Sequence, residues 1–237
     1  MKIFKKKEIK RNFWGKAYDE YLYKGLTGIF LKYNHKIINN YSKRKTFKII
    51  MEFGGAGKPH WNWMDKSKLK NIDRYILVDD KFYLSKIKIP KFLSPKKVIK
   101  IDYRKFDRIN KYRNKVDRII ASHVLEHIPD PESALINWMN LLSKKGSMCI
   151  ALPCDPGWLY RLGQILSMNK ACRLYKIKPL EKDLWQSREH INALQRLIYI
   201  FNYYFKKRKT LWFPFLLPIT NINLFHFIEV NKNDFRQ

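Results

Sequence analysis

The chain has 237 residues, with 49 Lys and Arg against 20 Asp and Glu, and its formal net charge is +29. That balance excludes an acidic scaffold or an acidic tail, whereas 46% hydrophobic and 15% aromatic residues are too many for a disordered polycation. A chain of this length can bury a substantial core, and no linker, repeat or low-complexity tract divides it. We therefore predict one globular domain over residues 47–237, preceded by a basic helical extension over residues 1–46.

The positive charge is distributed unevenly along the chain. Residues 47–80 carry 6 Lys and Arg against 5 Asp and Glu, and residues 119–160 carry 2 against 4, whereas the segments around them are strongly basic. A Lys-rich solvated surface and a surface that binds a polyanion both explain those basic segments. The two nearly neutral stretches contain most of the motifs described below.

The cysteines and the apolar segments indicate the cellular location of the protein. Cys149, Cys154 and Cys172 are an odd number without a CxxC pair, so the sequence predicts neither a disulfide framework nor a zinc site, and a reducing compartment is favoured. Residues 1–14 lack the apolar core of a signal peptide, and prolines interrupt the longest apolar stretch, residues 211–219. We expect a soluble, cytoplasmic protein without a transmembrane segment.

Short apolar runs predict the strands of a sheet. Such runs are typical of buried parallel strands, and they occur at residues 47–51, 75–78, 98–101, 116–121 and 148–152. A late strand is predicted over residues 223–230.

Two helices have recognisable ends. The first is predicted to begin at Asp130 as N-cap, with Pro131 in its first position, and to end at Gly146. The second is predicted to be capped by Ser187, with an apolar stripe that runs from residue 191 to residue 205. Strands that alternate with helices indicate an α/β sandwich with a mostly parallel sheet.

Two strand ends carry residues suited to ligand binding, because such sheets bind ligands at the carboxyl ends of their strands. The first strand is followed by a glycine-rich turn, which lets a ligand approach bare backbone. The second strand ends at Asp79, 22 residues after Gly57, where a carboxylate can accept both hydroxyl groups of a ribose. The alternatives are that the glycine-rich turn only connects two elements and that Asp79 lies at an ordinary solvated strand end.

At these positions the sequence resembles the class I S-adenosylmethionine-dependent methyltransferases. The matching segments are IIMEFGGAG, YILVDD, IKIDY, VDRIIASHVLEHIPDPESAL and LLSKKGSMCIALP, and the segment SHVLEHI is the most specific of them. The glycine loop departs from the usual E-x-G-x-G-x-G pattern, because Ala56 and Lys58 stand at its second and third glycine positions.

The resemblance implies a Rossmann-like three-layer sandwich with a mostly parallel seven-stranded sheet and a late antiparallel strand. It also implies a division of the domain, with a cofactor half over about residues 47–153 and an acceptor-side insertion with the last strands over about residues 154–237.

The resemblance assigns the first two strand ends to the cofactor, S-adenosylmethionine. Glu52 and Gly54 would line its methionine end, with Gly55 and Gly57 in the same loop, and Asp79 would hold the ribose hydroxyls.

The third and fourth strand ends would complete the cofactor site. Asp102 with Tyr103 would border the adenine, and Ser122 with His123 would close the site after the fourth strand. The donor methyl group is already activated on sulfur, so alignment and exclusion of water suffice, and no metal ligand is assigned.

An oxygen or nitrogen acceptor can also need a general base. His190 and His123 are the catalytic candidates, since imidazole titrates near neutral pH. His190 is expected at the start of a helix, where capping and packing are its alternative role, and Asp155 and Arg188 are the other candidates for acceptor binding. His127 is expected mainly to fix the loop and helix around it.

The sequence does not identify the methyl acceptor. A small molecule or biosynthetic intermediate, which could be anionic, is favoured over RNA, because no RNA-binding module or N-P-P-Y motif is present. The other hypotheses are a binding protein without turnover and a membrane-surface protein that uses Phe4, Phe13 and Trp14 in the basic N-terminus. The sequence does not indicate the oligomeric state.

Overall fold

The computed structural model describes residue 23 and residues 25–40, 46–55 and 58–236. Most of the predicted N-terminal extension, with the three aromatic residues suggested for membrane contact, lies outside the described residues, and so do Ala56 and Gly57 of the glycine loop.

Seven strands form one sheet in the order β3-β2-β1-β4-β5-β7-β6. Strands β1 to β5 pair in parallel, whereas β7 is antiparallel to both β5 and β6. Their bounds are β1 Ile49–Phe53, β2 Arg74–Asp79, β3 Val98–Asp102, β4 Val116–Ser122, β5 Leu142–Pro153, β6 Lys209–Phe213 and β7 Phe225–Asn231. The predicted fold class, a Rossmann-like sandwich with a mostly parallel seven-stranded sheet, is confirmed.

Each predicted strand is present, and β6 is the strand for which no segment was predicted. Its sequence, KTLWF, begins with exposed Lys209 and Thr210 and has no fully buried residue, because it lies at the edge of the sheet beside β7. An edge strand with one neighbour lacks the continuous apolar run by which buried parallel strands are recognised. The sheet therefore ends in two antiparallel strands.

The helices lie between and beside the strands. Their bounds are α1 Gly25–Asn40, α2 Lys66–Lys70, α3 Lys81–Lys86, α4 Phe106–Asn110, α5 Pro131–Leu141, α6 Trp158–Leu174, α7 Pro179–Glu189 and α8 Leu194–Tyr204. Short 3₁₀ turns include His60–Asn62 and Leu125–His127. Among the described residues, no helix is both long enough and apolar enough to cross a membrane.

Helix α5 begins as predicted but ends earlier. The Asp130 side chain accepts a hydrogen bond from Ser133 N at 3.0 Å, and Pro131 occupies the first turn. The prediction that Gly146 ends the helix is wrong: α5 ends at Leu141, and Gly146 lies within β5. A Cβ at Gly146 would lie 2.7 Å from the Val116 carbonyl oxygen, so the glycine permits close approach of β5 to β4.

The second predicted helix is divided in two. Ser187 lies inside α7, where its hydroxyl donates to the Leu184 carbonyl, and α8 begins only at Leu194. His190 therefore caps the C-terminus of α7 and does not stand at the start of a helix, which corrects the prediction for both residues. Ile191, the first member of the predicted stripe, is exposed between the two helices.

Helix α1 packs on the sheet although it lies within the segment predicted to be an extension. Leu31 and Ile38 belong to the hydrophobic core. The buried Arg118 of β4 donates to the Ile38 carbonyl at 2.9 Å and to Glu229 Oε1 of β7 at 2.7 Å. The division at residue 46 stays a prediction, but α1 shares the core of the sheet.

Candidate functional site

The carboxyl ends of four neighbouring strands carry the candidate cofactor residues in one row. In sheet order these are Asp102 at the end of β3, Asp79 at the end of β2, Gly54 directly after β1 and Ser122 at the end of β4. Asp79 and Asp102 are partners in the β2–β3 register, and Gly54 N donates to the Val78 carbonyl at 3.0 Å. The chain order reverses between β1 and β4, which is the position at which open α/β sheets bind ligands.

The start of the glycine loop has no room for side chains. Gly54 has φ +71°, in the left-handed region, and a Cβ there would collide with the Val124 side chain. A Cβ on Gly55 would collide with the carboxylate of Glu52. The backbone therefore turns tightly at Gly54 and Gly55, directly after β1.

Glu52 lies beneath this loop and is fully buried. Its carboxyl group accepts hydrogen bonds from His60 N, at 3.0 and 3.1 Å, and from the Tyr75 hydroxyl, and Oε1 lies 3.1 Å from His60 Nδ1. Burial raises the pKa of Glu52 to about 8, against the lowering effect of the bonds from Tyr75 and His60. In this environment the carboxyl group is protonated at neutral pH and braces the loop from below.

The hydrogen-bonded chain continues from Glu52 to the side of helix α1. His60 Nε2 lies 2.9 Å from His35 Nδ1, and His35 Nε2 lies 2.8 Å from the Tyr23 hydroxyl. Burial lowers the pKa of His60 to about 3 and that of His35 well below its ordinary value, so both imidazoles are neutral. Sequence reasoning did not single out either histidine, because neither lies in a recognisable motif.

The acidic ends of β2 and β3 differ in their surroundings. Asp79 Oδ1 accepts a hydrogen bond from Asp80 N at 2.6 Å. Asp102 forms a two-bond pair with Arg104, with Nε–Oδ1 at 2.8 Å and Nη2–Oδ2 at 2.7 Å, and the Arg104 hydrogen bond lowers the pKa of Asp102 to about 2. Tyr103, which lies between Asp102 and Arg104 in the chain, is 50% exposed, and the Arg104 guanidinium lies 5.3 Å from its ring centre. Arg104, which sequence reasoning missed, thus fixes the carboxylate at this end of the row.

The end of β4 holds a second group of polar side chains. His123 has φ +56°, which is uncommon for a residue with a side chain. Its Nε2 accepts a hydrogen bond from Asn34 of α1 at 3.1 Å, and its Nδ1 lies 3.5 Å from Glu126 Oε1. The Ser122 hydroxyl is buried and has no hydrogen-bond partner among the described residues. Asn34 was not foreseen, since α1 falls outside the region of resemblance.

The acceptor-side candidates meet where β5 and α7 end. His190 Nδ1 lies 2.7 Å from Asp155 Oδ2, although 35 residues separate them, and the His190 ring packs against His127 with ring centres 4.9 Å apart. The His127 Nδ1–H donates to the Glu189 carbonyl at 2.9 Å. Arg188 is exposed in the last turn of α7. The fold thus brings His190, Asp155 and His127 together, whereas Arg188 makes no hydrogen bond or ion pair with them among the described residues.

Comparisons with known proteins agree with this fold. A family model described as a methyltransferase domain matches residues 26–202. The chain therefore belongs to the methyltransferase domain family. No curated protein matches the sequence.

Solved methyltransferase structures have a similar fold at low sequence identity. The plantazolicin methyltransferase BpumL, in complex with a monoazolic desmethylPZN analog and SAH, has a TM-score of 0.60 at 16% identity, over 96% of this chain and 90% of that one. A SAM-dependent methyltransferase from Archaeoglobus fulgidus has a TM-score of 0.55 at 15% identity, over 86% and 93% of the two chains.

A putative O-methyltransferase from Nostoc punctiforme PCC 73102 has a TM-score of 0.54 at 11% identity, over 85% of this chain. The chain spans only 56% of the length of that protein. At these identities the similarity defines the fold, which is that of the class I methyltransferases.

Proposed function

We propose that this protein is an S-adenosylmethionine-dependent methyltransferase that acts on a small molecule or biosynthetic intermediate. The row of Gly54, Asp79, Asp102 and Ser122 at the switch point of the sheet is the observation that carries the proposal. The chain's membership of the methyltransferase domain family supports the same reaction.

The residues present fit the cofactor in two respects. The loop at Gly54 and Gly55 excludes side chains and exposes backbone to a ligand. The Ser122 hydroxyl is buried without a hydrogen-bond partner among the described residues, and a buried hydroxyl in that state is costly unless a ligand satisfies it.

Each site residue then has a distinct task. Asp79 would accept hydrogen bonds from the ribose hydroxyls, Tyr103 and the Arg104-bound Asp102 would border the adenine, and Ser122 would contact the methionine end. When bound, the cofactor supplies a methyl group already activated on sulfur for in-line displacement. Glu52 supports the loop from its buried position, and His123, held by Asn34, shapes the wall after β4.

The acceptor side supplies orientation and a base. The short contact with Asp155 fixes the proton of His190 on Nδ1, so Nε2 carries the lone pair that can accept a proton from the acceptor. Beside this pair, the first turns of α6 leave Trp158, Leu162 and Leu166 exposed along one stripe. An acceptor with both a polar reacting group and an apolar part fits this combination, and exposed Arg188 suits an anionic group on it.

The similar structure of the plantazolicin methyltransferase BpumL contains a monoazolic desmethylPZN analog, which supports a small molecule or biosynthetic intermediate as the acceptor class.

Calorimetric titration with S-adenosylhomocysteine tests the cofactor part of the proposal. Asp79→Ala is expected to weaken binding by about 10- to 100-fold, the usual effect of removing hydrogen bonds to a charged group. Asp107→Ala, which removes an exposed carboxylate in α4, is the matched control and is expected to leave the affinity unchanged. If the native protein does not bind the cofactor, or both variants bind it equally, the proposal is refuted.

A labelled methyl donor tests the acceptor part. Incubation with S-adenosylmethionine carrying a radioactive methyl group and fractionated cell extract is expected to label a low-molecular-weight fraction. Label in RNA would refute the small-molecule assignment and identify RNA as the acceptor.

A further inference from the structure

Three potential metal ligands meet on the acceptor side of the site. Glu126 and His127 belong to the 3₁₀ turn after β4, whereas His190 comes from the end of α7. One ligand atom of each residue lies within 4.8 Å of the other two, and His127 Nε2 is 3.9 Å from Glu126 Oε1. A carboxylate with two imidazoles is a common ligand set of divalent transition metals.

The contacts around the two imidazoles are those of metal-ligating histidines. Nδ1 of His127 faces the Glu189 carbonyl at 2.9 Å, and Nδ1 of His190 faces the Asp155 carboxylate at 2.7 Å. Both oxygens are acceptors, so both rings carry their proton on Nδ1 and present the lone pair on Nε2. Metal-ligating histidines usually donate their second nitrogen to a carboxylate or a backbone carbonyl, and here one ring has each kind of partner.

Glu126 is the second, independent observation. It is 1% exposed, and neither carboxylate oxygen forms a well-aligned hydrogen bond with the described residues; His123 Nδ1 lies 3.5 Å from Oε1. A buried carboxylate without hydrogen bonds is costly unless a cation compensates it.

We propose that Glu126, His127 and His190 bind one divalent transition-metal ion, with Asp155 and the Glu189 carbonyl orienting the two histidines. Ligand atoms of a tetrahedral zinc ion lie about 3.4 Å apart, given metal–ligand bonds of about 2.0–2.1 Å. The three side chains therefore have to approach by about 1 Å. The His127 side chain is 39% exposed and can make most of that movement, while buried Glu126 stays in place.

Three protein ligands leave coordination positions open for water or for an oxygen of the acceptor. The ion would thus bind and polarise an acceptor hydroxyl or carboxylate. It would also occupy the lone pair of His190 Nε2, so His190 is a ligand in the metal-bound protein and a base only without metal. The proposal of a metal site does not rest on the proposed methyl transfer. Metal affinity can be measured in the absence of cofactor.

Titration of untagged, chelator-treated protein with Co²⁺ and Zn²⁺ tests the site. We expect one ion per chain by elemental analysis after dialysis, and visible absorption of bound Co²⁺. His127→Ala and His190→Ala should each lower the affinity by at least about 100-fold, and Asp155→Asn by about 10- to 100-fold because it acts through His190. His226→Gln, which removes a histidine of β7 outside the cluster, should not change the affinity.

Two results would overturn the assignment. One is failure of the native protein to retain either ion at micromolar concentration, which would leave a hydrogen-bonded Asp155–His190 pair packed against the His127 ring, without metal. The other is equal binding by the native protein and the His127→Ala variant. The His127 ring is exposed, so thermal unfolding of this variant serves to show that its fold is intact. Cofactor titrations of the same proteins keep this outcome separate from that of the proposed methyl transfer.

Discussion

Replacement of Glu52 by glutamine tests the protonation state of the group beneath the glycine loop. In the native protein the buried carboxyl group accepts hydrogen bonds from Tyr75 and from the His60 backbone. A glutamine carbonyl can accept the same bonds, and its amide can donate to His60 Nδ1 as a protonated carboxyl group would. Glu52→Gln therefore imitates the protonated state at every pH.

The magnitude follows from the pKa of Glu52, which is about 8 in the folded protein against an ordinary value of 4.5. A raised pKa of the folded state means that stability is fully present below pH 4.5 and is lost as the pH rises toward 8. At about 1.4 kcal/mol per unit, the loss between pH 5 and pH 8 is about 4 kcal/mol. For a chain of this size that corresponds to a change in Tm on the order of 10 °C.

Buried histidines act in the opposite direction, so the difference between the two proteins must be measured. Burial lowers the pKa of His60 to about 3 and that of His226 to about 4, and both therefore reduce stability as the pH falls below 6.5. This contribution is nearly the same in the native protein and in Glu52→Gln. The difference in their unfolding free energies isolates the carboxyl group.

Denaturant unfolding of both proteins from pH 5 to pH 8.5 is the assay. We expect the native protein to lose stability relative to Glu52→Gln by about 4 kcal/mol over this range. Glu181→Gln, which changes a carboxyl group in the first turn of α7, is the control and should track the native protein. A constant difference between the native protein and Glu52→Gln would refute the raised pKa and the protonated brace.

Three further substitutions test packing and local structure. Gly55→Ala should weaken cofactor binding by at least about 10-fold in calorimetry, because the new Cβ would collide with Glu52. Gly163→Ala is the control: its Cβ would lie at an ordinary contact distance from Leu224, so the variant should be neutral or stabilise helix α6 by up to about 1 kcal/mol. Arg118→Met should cost about 3–5 kcal/mol in denaturant unfolding, because it leaves the buried Glu229 unpaired; a double variant with Glu229→Met that is no more stable than Arg118→Met would contradict this explanation. Asp130→Ala should cost about 1 kcal/mol through loss of the cap of α5, and an unchanged Tm would argue against the cap.

The elements predicted best from the sequence are those whose signal is local. The strands at the centre of the sheet are short apolar runs, and Asp130 followed by Pro131 marks a helix start through bonds within one turn. The end of that helix was misplaced because Gly146, which looked like a helix terminator, serves the packing of β5 on β4. The low helix propensity of glycine suggested a helix end at Gly146, but the close contact between β5 and β4 explains why a glycine is needed there.

The site was predictable where the sheet itself places the residues. Parallel strands end at one edge, so Asp79, Asp102 and Ser122 had to lie near each other once their strands were identified. The partners of these residues could not be predicted, because they come from distant segments or from side-chain orientation. His60 beneath Glu52, Asn34 beside His123 and Arg104 on Asp102 leave no periodic pattern in the sequence.

Two buried glutamates, Glu52 at the end of β1 and Glu126 after β4, show how environment decides the protonation state of a carboxyl group. Burial dominates at Glu52 and raises its pKa to about 8, since its hydrogen-bond partners Tyr75 and His60 are neutral groups. At Glu126 three nearby imidazoles outweigh burial and favour the ionised form. Of the two buried glutamates, Glu126 therefore carries the negative charge, although the sequence analysis had assigned a ligand-facing carboxylate to Glu52. A cation, whether a metal ion or the positive sulfur of a methyl donor, is stabilised more by Glu126 than by the protonated group beneath the loop.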